Sequence, residues 1–214
     1  MTNFDNFITQ TISYLYPLVK RIFDVFFALA LIFLFISWLL PLLWALNFFA
    51  GSRPLLFSHQ REGKDRKLFW CYKFRTFPKN AVHPKPGEPI TTPITRLGTI
   101  LRSSGIDELP QALNILKGEM SVVGPRPHLP EYNAHYQKAV GQEEMDKRHN
   151  LLPGLTGLAQ IRGYRGDTPN NASIYNRINS DIEYINRQSL FLDFEIIFIS
   201  FWMLIQAVAR QIFN

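Results

Sequence analysis

The chain has 214 residues with 23 Lys or Arg against 17 Asp or Glu, so its formal net charge is +6 at pH 7. This length suits one domain, or one domain with an anchor. A basic balance favours nucleic acid, anionic lipid or a phosphorylated substrate as partner. Many of the 18 Phe lie in the first fifty and the last twenty-five residues, which indicates a membrane more than nucleic acid. The single cysteine, Cys71, excludes an internal disulfide and is interpreted as a small buried hydrophobe.

An apolar run of 22 residues, 25–46, follows Asp24. Its length alone predicts a transmembrane helix. Pro41 inside the run would clash with the carbonyl group of Ser37, which predicts a kink or break there. Helix from residue 25 to Ser37 would cover about 20 Å, whereas the hydrocarbon core is about 30 Å thick.

Basic residues flank the apolar run on both sides. Because the positive-inside rule then places both ends in the cytoplasm, we expect a hairpin that enters and leaves through one leaflet. A kinked helix that crosses the bilayer is the alternative. Residues 1–19 lack the basic start and the cleavage site of a signal peptide. The flanking residues are Lys20 and Arg21 before the run, and Arg53, Arg61, Lys64, Arg66 and Lys67 after it.

Two apolar and aromatic segments, 54–60 and 67–74, predict a β-hairpin. Lys73 and Arg75 are two residues apart, so on a strand they would share one face. They would form either a solvated basic edge or a pair of cations for phosphates. Residues 77–93 contain five prolines and predict a loop.

Two adjacent carboxylates, Asp107 and Glu108, open a short segment of helical spacing. Asp107 is the predicted N-cap of this helix, and Gly118 its predicted end. The carboxylates would then lie at a helix N-terminus, where free N–H groups favour anions. Arg102 and Arg126 flank them, and an anionic substrate with a metal requires such a mixture of charges. An ordinary capped helix followed by a turn is the alternative.

The remaining segments carry weaker signals. Glycines in 153–166 allow close approach of the backbone to a ligand, although a plain loop would look the same. Residues 174–186 predict a polar helix. The 14 uncharged residues 196–209 are too short to span a membrane comfortably, and we expect them at the interface or against the hairpin.

Several common chemical signatures are missing from the sequence. His128, His135 and His149 have no metal-ligand spacing, so we interpret them as surface residues without a role. Neither a Rossmann fingerprint nor a P-loop is present.

Several motifs, in order along the chain from about residue 19 to 208, resemble the bacterial sugar transferase family. These are the monotopic phosphoglycosyl transferases that act on polyprenyl phosphate. The matching pieces are Lys20-Arg21 with Asp24, and segments 72–76, 102–111, 117–127, 153–160 and 192–196.

The resemblance implies an α+β fold with an N-terminal re-entrant membrane helix hairpin, a small β-hairpin and a helical cytosolic catalytic domain with interfacial amphipathic helices. We expect a membrane-associated segment at 1–52, the catalytic domain at 53–193 and a C-terminal interfacial helix at 194–214. The expected location is the cytoplasmic face of the bacterial inner membrane.

The resemblance also implies an activity, the transfer of a sugar-1-phosphate from a UDP-sugar to undecaprenyl phosphate with Mg²⁺. Such transfers initiate the synthesis of exopolysaccharide, capsule, O-antigen or glycoprotein glycans. By resemblance, Asp107 is the nucleophile that forms a covalent phosphosugar intermediate. Glu108 would hold the metal with Asp107 or orient the acceptor phosphate. The expected substrate-binding residues are Lys73, Arg75, Arg102, Pro125, Arg126, Pro127, Gln160, Arg165 and Asp181.

Two functions of other classes remain open at this point. A basic, membrane-anchored protein without enzymatic activity could bind anionic lipid or act as a scaffold. The chain could also be a membrane-tethered nucleic-acid binder. Because it carries no nucleic-acid recognition motif, nucleic acid is not an expected partner. Membrane lipid is an expected partner, and a homodimer stays open.

Overall fold

The structure is a computed structural model that describes residues 3–49, 55–77, 94, 96–165 and 170–213. This part of the chain is mostly helical and carries two small sheets, which confirms a mixed α and β fold. The helices are α1 Asn3–Leu31, α2 Ser37–Phe49, α3 Arg96–Ser104, α4 Ala112–Lys117, α5 Pro130–Val140, α6 Gln142–Arg148, α7 Leu158–Ile161, α8 Asn171–Arg187 and α9 Leu190–Phe213. The strands are β1 Leu56–Glu62, β2 Leu68–Phe74, β3 Ser121–Val123 and β4 Gly154–Thr156. A π-helical turn, Ile32–Ile36, and two 3₁₀ segments, Lys64–Arg66 and Ile106–Gln111, complete the described elements.

The predicted β-hairpin is confirmed. Strands β1 and β2 are antiparallel, with Leu56 opposite Phe74 and Glu62 opposite Leu68. Side chains alternate along β2, so Cys71 is buried, as predicted, while Trp70 next to it is exposed. The proline-rich segment 77–93 lies almost entirely outside the described residues.

The second sheet pairs β3 with β4 in parallel, and glycines allow the two segments to approach closely. A Cβ atom on Gly154 would lie 2.1 Å from the Gly124 nitrogen. A Cβ atom on Gly157 would lie 2.2 Å from the Gly124 carbonyl oxygen. The missing side chains of Gly154 and Gly157 therefore leave room for the backbone at Gly124.

The N-terminal apolar segment does not break where the sequence predicted. Pro41 lies inside α2, and Ser37 keeps helical backbone angles. The irregularity is the π-helical turn Ile32–Ile36, directly before Ser37, whose hydroxyl donates to the Phe33 carbonyl at 2.7 Å. A π turn inserts an extra residue into the helix and can redirect its axis, so it replaces the predicted break as the candidate bend.

Polar contacts hold α1 against the rest of the protein. Lys20 lies 3.1 Å from the carboxylate of Asp24 and 2.9 Å from that of Asp193 in α9. Asp24 also accepts the backbone N–H of Val122 at 3.0 Å. Arg21 donates to two carbonyl groups at the end of α4. The buried carboxylates of Asp24 and Asp193 thus both have a cationic partner, as burial of a charge requires.

Both sides of the π turn contact the rest of the protein. Ala28 of α1 belongs to the main hydrophobic core, together with residues of β2, β3 and α9. Leu43 of α2 packs in a separate cluster with Phe74 and Leu101. The helical segment therefore touches the hairpin and α3 as well as the main core.

Helix α9 is longer than the uncharged stretch predicted. It has 24 residues because it begins at Leu190 and includes Asp193, which is buried against Lys20. By length and composition, Leu190–Arg210 could cross a membrane, and so could Leu15–Ala45. The 14 uncharged residues are thus part of a longer helix, and their predicted position at the membrane interface stays a prediction. The predicted polar helix is confirmed as α8.

Candidate active site

The two adjacent carboxylates lie in the first turn of the 3₁₀ segment Ile106–Gln111. Gly105 precedes this turn with φ at 69°, and its carbonyl accepts the N–H of Glu108 at 3.1 Å. The predicted N-cap role of Asp107 is wrong, because Asp107 lies inside the turn. The predicted end at Gly118 is confirmed, since Gly118 adopts φ of 83° after α4.

Glu108 has both carboxylate oxygens bound to cations. Arg126 binds the carboxylate in a bidentate manner, donating to Oε2 at 3.0 Å and to Oε1 at 2.6 Å. Lys73 from β2 donates to Oε1 at 2.7 Å. Glu108 is 5% exposed, so these contacts are shielded from water and strong.

The cations keep Glu108 ionised despite its burial. Burial alone would raise the pKa of this carboxyl group. Arg126 and Lys73 outweigh burial and hold the pKa of Glu108 well below its usual range. Glu108 is therefore a permanent anion whose charge is already neutralised.

Asp107 has a different environment, although it adjoins Glu108 in sequence. Among the described residues, none donates a hydrogen bond to the Asp107 carboxylate or forms an ion pair with it. Burial and then the negative charge of Glu108 raise the pKa of Asp107 to about 6, although Lys73, Arg126 and Arg102 act in the opposite direction. Two carboxyl groups with pKa values pushed apart are typical of groups with separate chemical roles.

The other predicted cations lie at different distances from this pair. The guanidinium of Arg102 stacks over Phe77 at 5.1 Å and influences Asp107. Arg165 lies beside Gly105: a Cβ atom built on Gly105 would be 2.7 Å from Nη2 of Arg165. The positive charge of Arg165 helps to lower the pKa of Glu108. Arg75 stacks over Phe57 at 5.2 Å. The structure thus brings Arg102 and Arg165 to the carboxylates and places Arg75 beside β1.

Backbone contacts fix the segment Pro125–Pro127. The Pro125 carbonyl accepts the N–H of Gly154 at 2.8 Å. The Pro127 carbonyl accepts a hydrogen bond from Arg61 at 2.7 Å. Arg148 donates to the carbonyl between them, that of Arg126. The two prolines therefore belong to the support of Arg126, and their direct contact with substrate stays a prediction.

Two further predicted site residues lie behind this segment. Asp181 of α8 pairs with Arg148 at 2.7 Å, and both side chains are 2% exposed. Gln160 of α7 is buried and donates to the Leu155 carbonyl at 3.3 Å. Its amide oxygen has no hydrogen-bond partner among the residues described. The structure does not bring either residue into contact with Glu108.

Sequence reasoning missed Arg61, Arg148 and His128. The interpretation of His128 and His149 as surface residues is wrong, because they are only 5% and 4% exposed. Burial, with Arg148 and Arg177 nearby, lowers the pKa of His128 well below its usual range, so its ring is neutral. No local spacing marks these residues, since their partners lie in distant segments of the chain.

The acidic residues present fit a magnesium ion through one carboxylate. Within the described ranges, no group of three His, Cys, Asp or Glu could hold a metal. Mg²⁺ is commonly held by one or two carboxylates together with substrate phosphates. Asp107 has a carboxylate available for this, whereas both oxygens of Glu108 are engaged by cations.

Comparison with known proteins shows that the chain belongs to the bacterial sugar transferase family, whose sequence model matches residues 15–207. This match includes every residue of the carboxylate cluster.

Named relatives support the same assignment. The chain is 43% identical over 150 residues to a UDP-glucose:undecaprenyl-phosphate glucose-1-phosphate transferase of Xanthomonas campestris pv. campestris, covering 67% of this chain and 30% of that protein. It is 39% identical over 202 residues to an undecaprenyl-phosphate glucose phosphotransferase of Komagataeibacter xylinus, covering 92% and 36% respectively. A third relative, the exopolysaccharide production protein PSS of Rhizobium leguminosarum bv. phaseoli, is 41% identical, with 84% and 92% covered. The chain thus spans about a third of the first two relatives.

The electrostatics of Asp107 predict its titration. In metal-free protein, the carboxyl group of Asp107 should ionise near pH 6, because burial and the Glu108 charge disfavour its anion. Addition of Mg²⁺ should move this ionisation to lower pH if Asp107 is a ligand. The measurement is ¹³C NMR of labelled aspartate carboxyl groups, with the signal assigned by its loss in Asp107→Asn. An ionisation near pH 4 without metal would contradict this description of the site.

Proposed function

We propose that this chain transfers a hexose-1-phosphate, with UDP-glucose as the first donor to test, to undecaprenyl phosphate. One observation carries the proposal: Glu108 is neutralised by Lys73 and Arg126, while Asp107 beside it is buried and unpaired within the described structure. The names of the relatives from Xanthomonas and Komagataeibacter support the donor and the acceptor.

In the first step, a carboxylate oxygen of Asp107 attacks the phosphorus atom that carries the sugar. An O–P bond forms to Asp107, and the bond from this phosphorus to the bridging oxygen breaks. UMP leaves with the bonding electrons, and the phosphosugar stays on Asp107 as an acyl phosphate. A carboxylate is a weak nucleophile, so the approach of two anions must be assisted by neighbouring positive charge.

The basic residues supply that charge. Lys73 and Arg126 neutralise Glu108, so this anion repels an incoming diphosphate less. Arg102 and Arg165 lie at the edge of the same turn and are free of ion pairs to carboxylates among the described residues, so we assign them to the donor phosphates. Asp107 would also be the residue to hold Mg²⁺, which would supply further positive charge against the donor phosphates when bound.

In the second step, a phosphate oxygen of the lipid attacks the same phosphorus atom. The bond from phosphorus to Asp107 breaks, and the carboxylate is regenerated. Glu108 holds Lys73 and Arg126 beside the phosphorus atom carried by Asp107. Through these two cations, Glu108 orients the acceptor phosphate. Arg75, Pro125, Pro127 and Gln160 complete the proposed substrate-binding surroundings, while Asp181 acts at a distance through Arg148.

We further propose that the N-terminal segment is a re-entrant hairpin at the cytoplasmic face of the bacterial inner membrane. If the helix crossed the bilayer, Leu43 would lie near the membrane face opposite to the one at which Lys20 lies. Leu43 instead packs on Phe74 and Leu101, close in sequence to Lys73 and Arg102. The proposed units are residues 1–52 in the membrane, 53–193 as the catalytic domain and 194–214 as an interfacial helix. Exposed Phe198 and Trp202 support membrane contact of α9.

The first half of the reaction is tested by UMP release from UDP-glucose with Mg²⁺ and no lipid acceptor. Asp107→Asn should abolish the stoichiometric burst of UMP, because it removes the attacking charge and keeps the size. Glu108→Gln should impair the burst severely through the altered charge of the cluster. Asp146→Asn is the control, since Asp146 is exposed and pairs with Arg66. A normal burst from Asp107→Asn would refute the mechanism, and no burst from wild type would favour a binding or scaffold role.

The hairpin is tested by cysteine labelling from the periplasm. In a Cys71→Ser background, cysteines introduced at Asn3 and at Gly51 should both be protected from an impermeant thiol reagent until the cells are opened. Protection of both sites follows if both ends lie in the cytoplasm. Labelling of one site in intact cells would establish a spanning helix instead.

A further inference from the structure

Arg126 is held from two directions. Its side chain donates to both oxygens of Glu108, and its backbone carbonyl accepts a hydrogen bond from Nη2 of Arg148. Arg148 is the last residue of α6 and is only 3% exposed. A second arginine thus acts on the main chain of the residue whose side chain neutralises the candidate active site.

The orientation of Arg148 is set by a carboxylate and a histidine. Its Nε donates to Asp181 at 2.7 Å, and Nη2 lies 3.1 Å from Nδ1 of His128. The His128 ring lies between Arg148 and Arg177, whose Nη1 is 3.4 Å from Nε2. A buried, neutral ring can accept a hydrogen bond from Arg148. Nε of Arg148 thus serves Asp181, while Nη2 lies within hydrogen-bond distance of both the Arg126 carbonyl and His128.

A lysine could not reproduce this arrangement. The guanidinium group is planar and presents donors in a fixed fork, whereas an ammonium group is a compact point charge. Breaking the buried Arg148–Asp181 pair would also leave a charge without a partner, which is a costly state. The guanidinium of Arg148 thus fixes the directions of its hydrogen bonds and also supplies positive charge to Asp181.

We propose that Arg148, oriented by Asp181, is a positioning residue that aims Arg126 at Glu108 and thereby tunes the first step of the reaction. Neither residue touches the carboxylate pair, so the effect passes through the main chain of Arg126. This inference deepens the proposed function and rests on it for its kinetic consequence. It also gives Asp181 a role other than direct contact with substrate.

The kinetic test uses Arg148→Lys, which keeps the positive charge for Asp181. At saturating UDP-glucose, the rate constant of the UMP burst should fall by up to roughly 10²-fold, the effect of a misplacement of about 1 Å. The KM for UDP-glucose should change much less, because Arg102 and Arg165 keep their positions. Asp181→Asn should show the same pattern. Arg162→Lys is the matched control, because Arg162 also binds a carboxylate of α8, Glu183, but touches no residue of the Arg126 segment.

A double-mutant cycle separates positioning from general damage. In an Arg126→Ala background, Arg148→Lys should cause little further loss, because the residue on which it acts has lost its side chain. If the two losses instead multiply in full, Arg148 acts independently of Arg126 and the proposal is wrong. Unchanged burst kinetics in folded Arg148→Lys would also overturn it.

A measurement without turnover distinguishes this inference from the proposed function. Hydrogen exchange of peptides covering 121–129 should accelerate in Arg148→Lys by more than exchange in the other peptides of the same variant, and it should stay unchanged in Arg162→Lys. This result would support the positional link even if the wild type released no UMP. Unaltered exchange of these peptides in Arg148→Lys would refute it.

Discussion

The structure depends on the burial of an ionised carboxylate. Glu108 lies almost completely out of water, and an isolated charge there would cost several kcal/mol, on the order expected for a buried ion. Lys73 and Arg126 offset this cost by binding both oxygens. To meet at Glu108, strand β2 and the segment after β3 must be held close to the 3₁₀ turn. Glycines at 124, 154 and 157 permit the close backbone contact that supports this approach.

The same elements connect the site to the N-terminal helix. Arg21 binds the carbonyl groups of Ile115 and Leu116 at the end of α4, which directly follows the carboxylate turn. Asp24 binds the N–H of Val122, in the strand that leads to Arg126. The position of the apolar helix is therefore coupled to both sides of the cluster. For an enzyme that joins a soluble donor to a lipid acceptor, this coupling would set the depth of the active site relative to the membrane.

Sequence patterns predicted the local features well, because local rules govern them. Two apolar and aromatic segments close together in sequence indicated the hairpin, and Gly118 marked the end of a helix. Asp107 was wrongly predicted as an N-cap because Gly105 starts the turn earlier with a positive φ angle. The support from Arg148 could not be predicted, since its contacts with Arg126 and Asp181 join segments 22 and 33 residues away. The uncharged stretch 196–209 is shorter than α9 because Asp193 and Glu195 interrupt the apolar pattern without interrupting the helix.

The central claim is that Asp107, and not its neutralised neighbour Glu108, receives the phosphosugar. Peptide mapping by mass spectrometry tests it most directly, after wild-type protein has reacted with UDP-glucose and Mg²⁺ without lipid and been digested under mild conditions. The account predicts one added hexose phosphate on the peptide that contains both carboxylates, with fragment ions that assign it to Asp107. Its loss on addition of undecaprenyl phosphate should match the appearance of lipid-linked sugar. An adduct on Glu108 or elsewhere, or lipid-linked product formed without any adduct, would contradict the account.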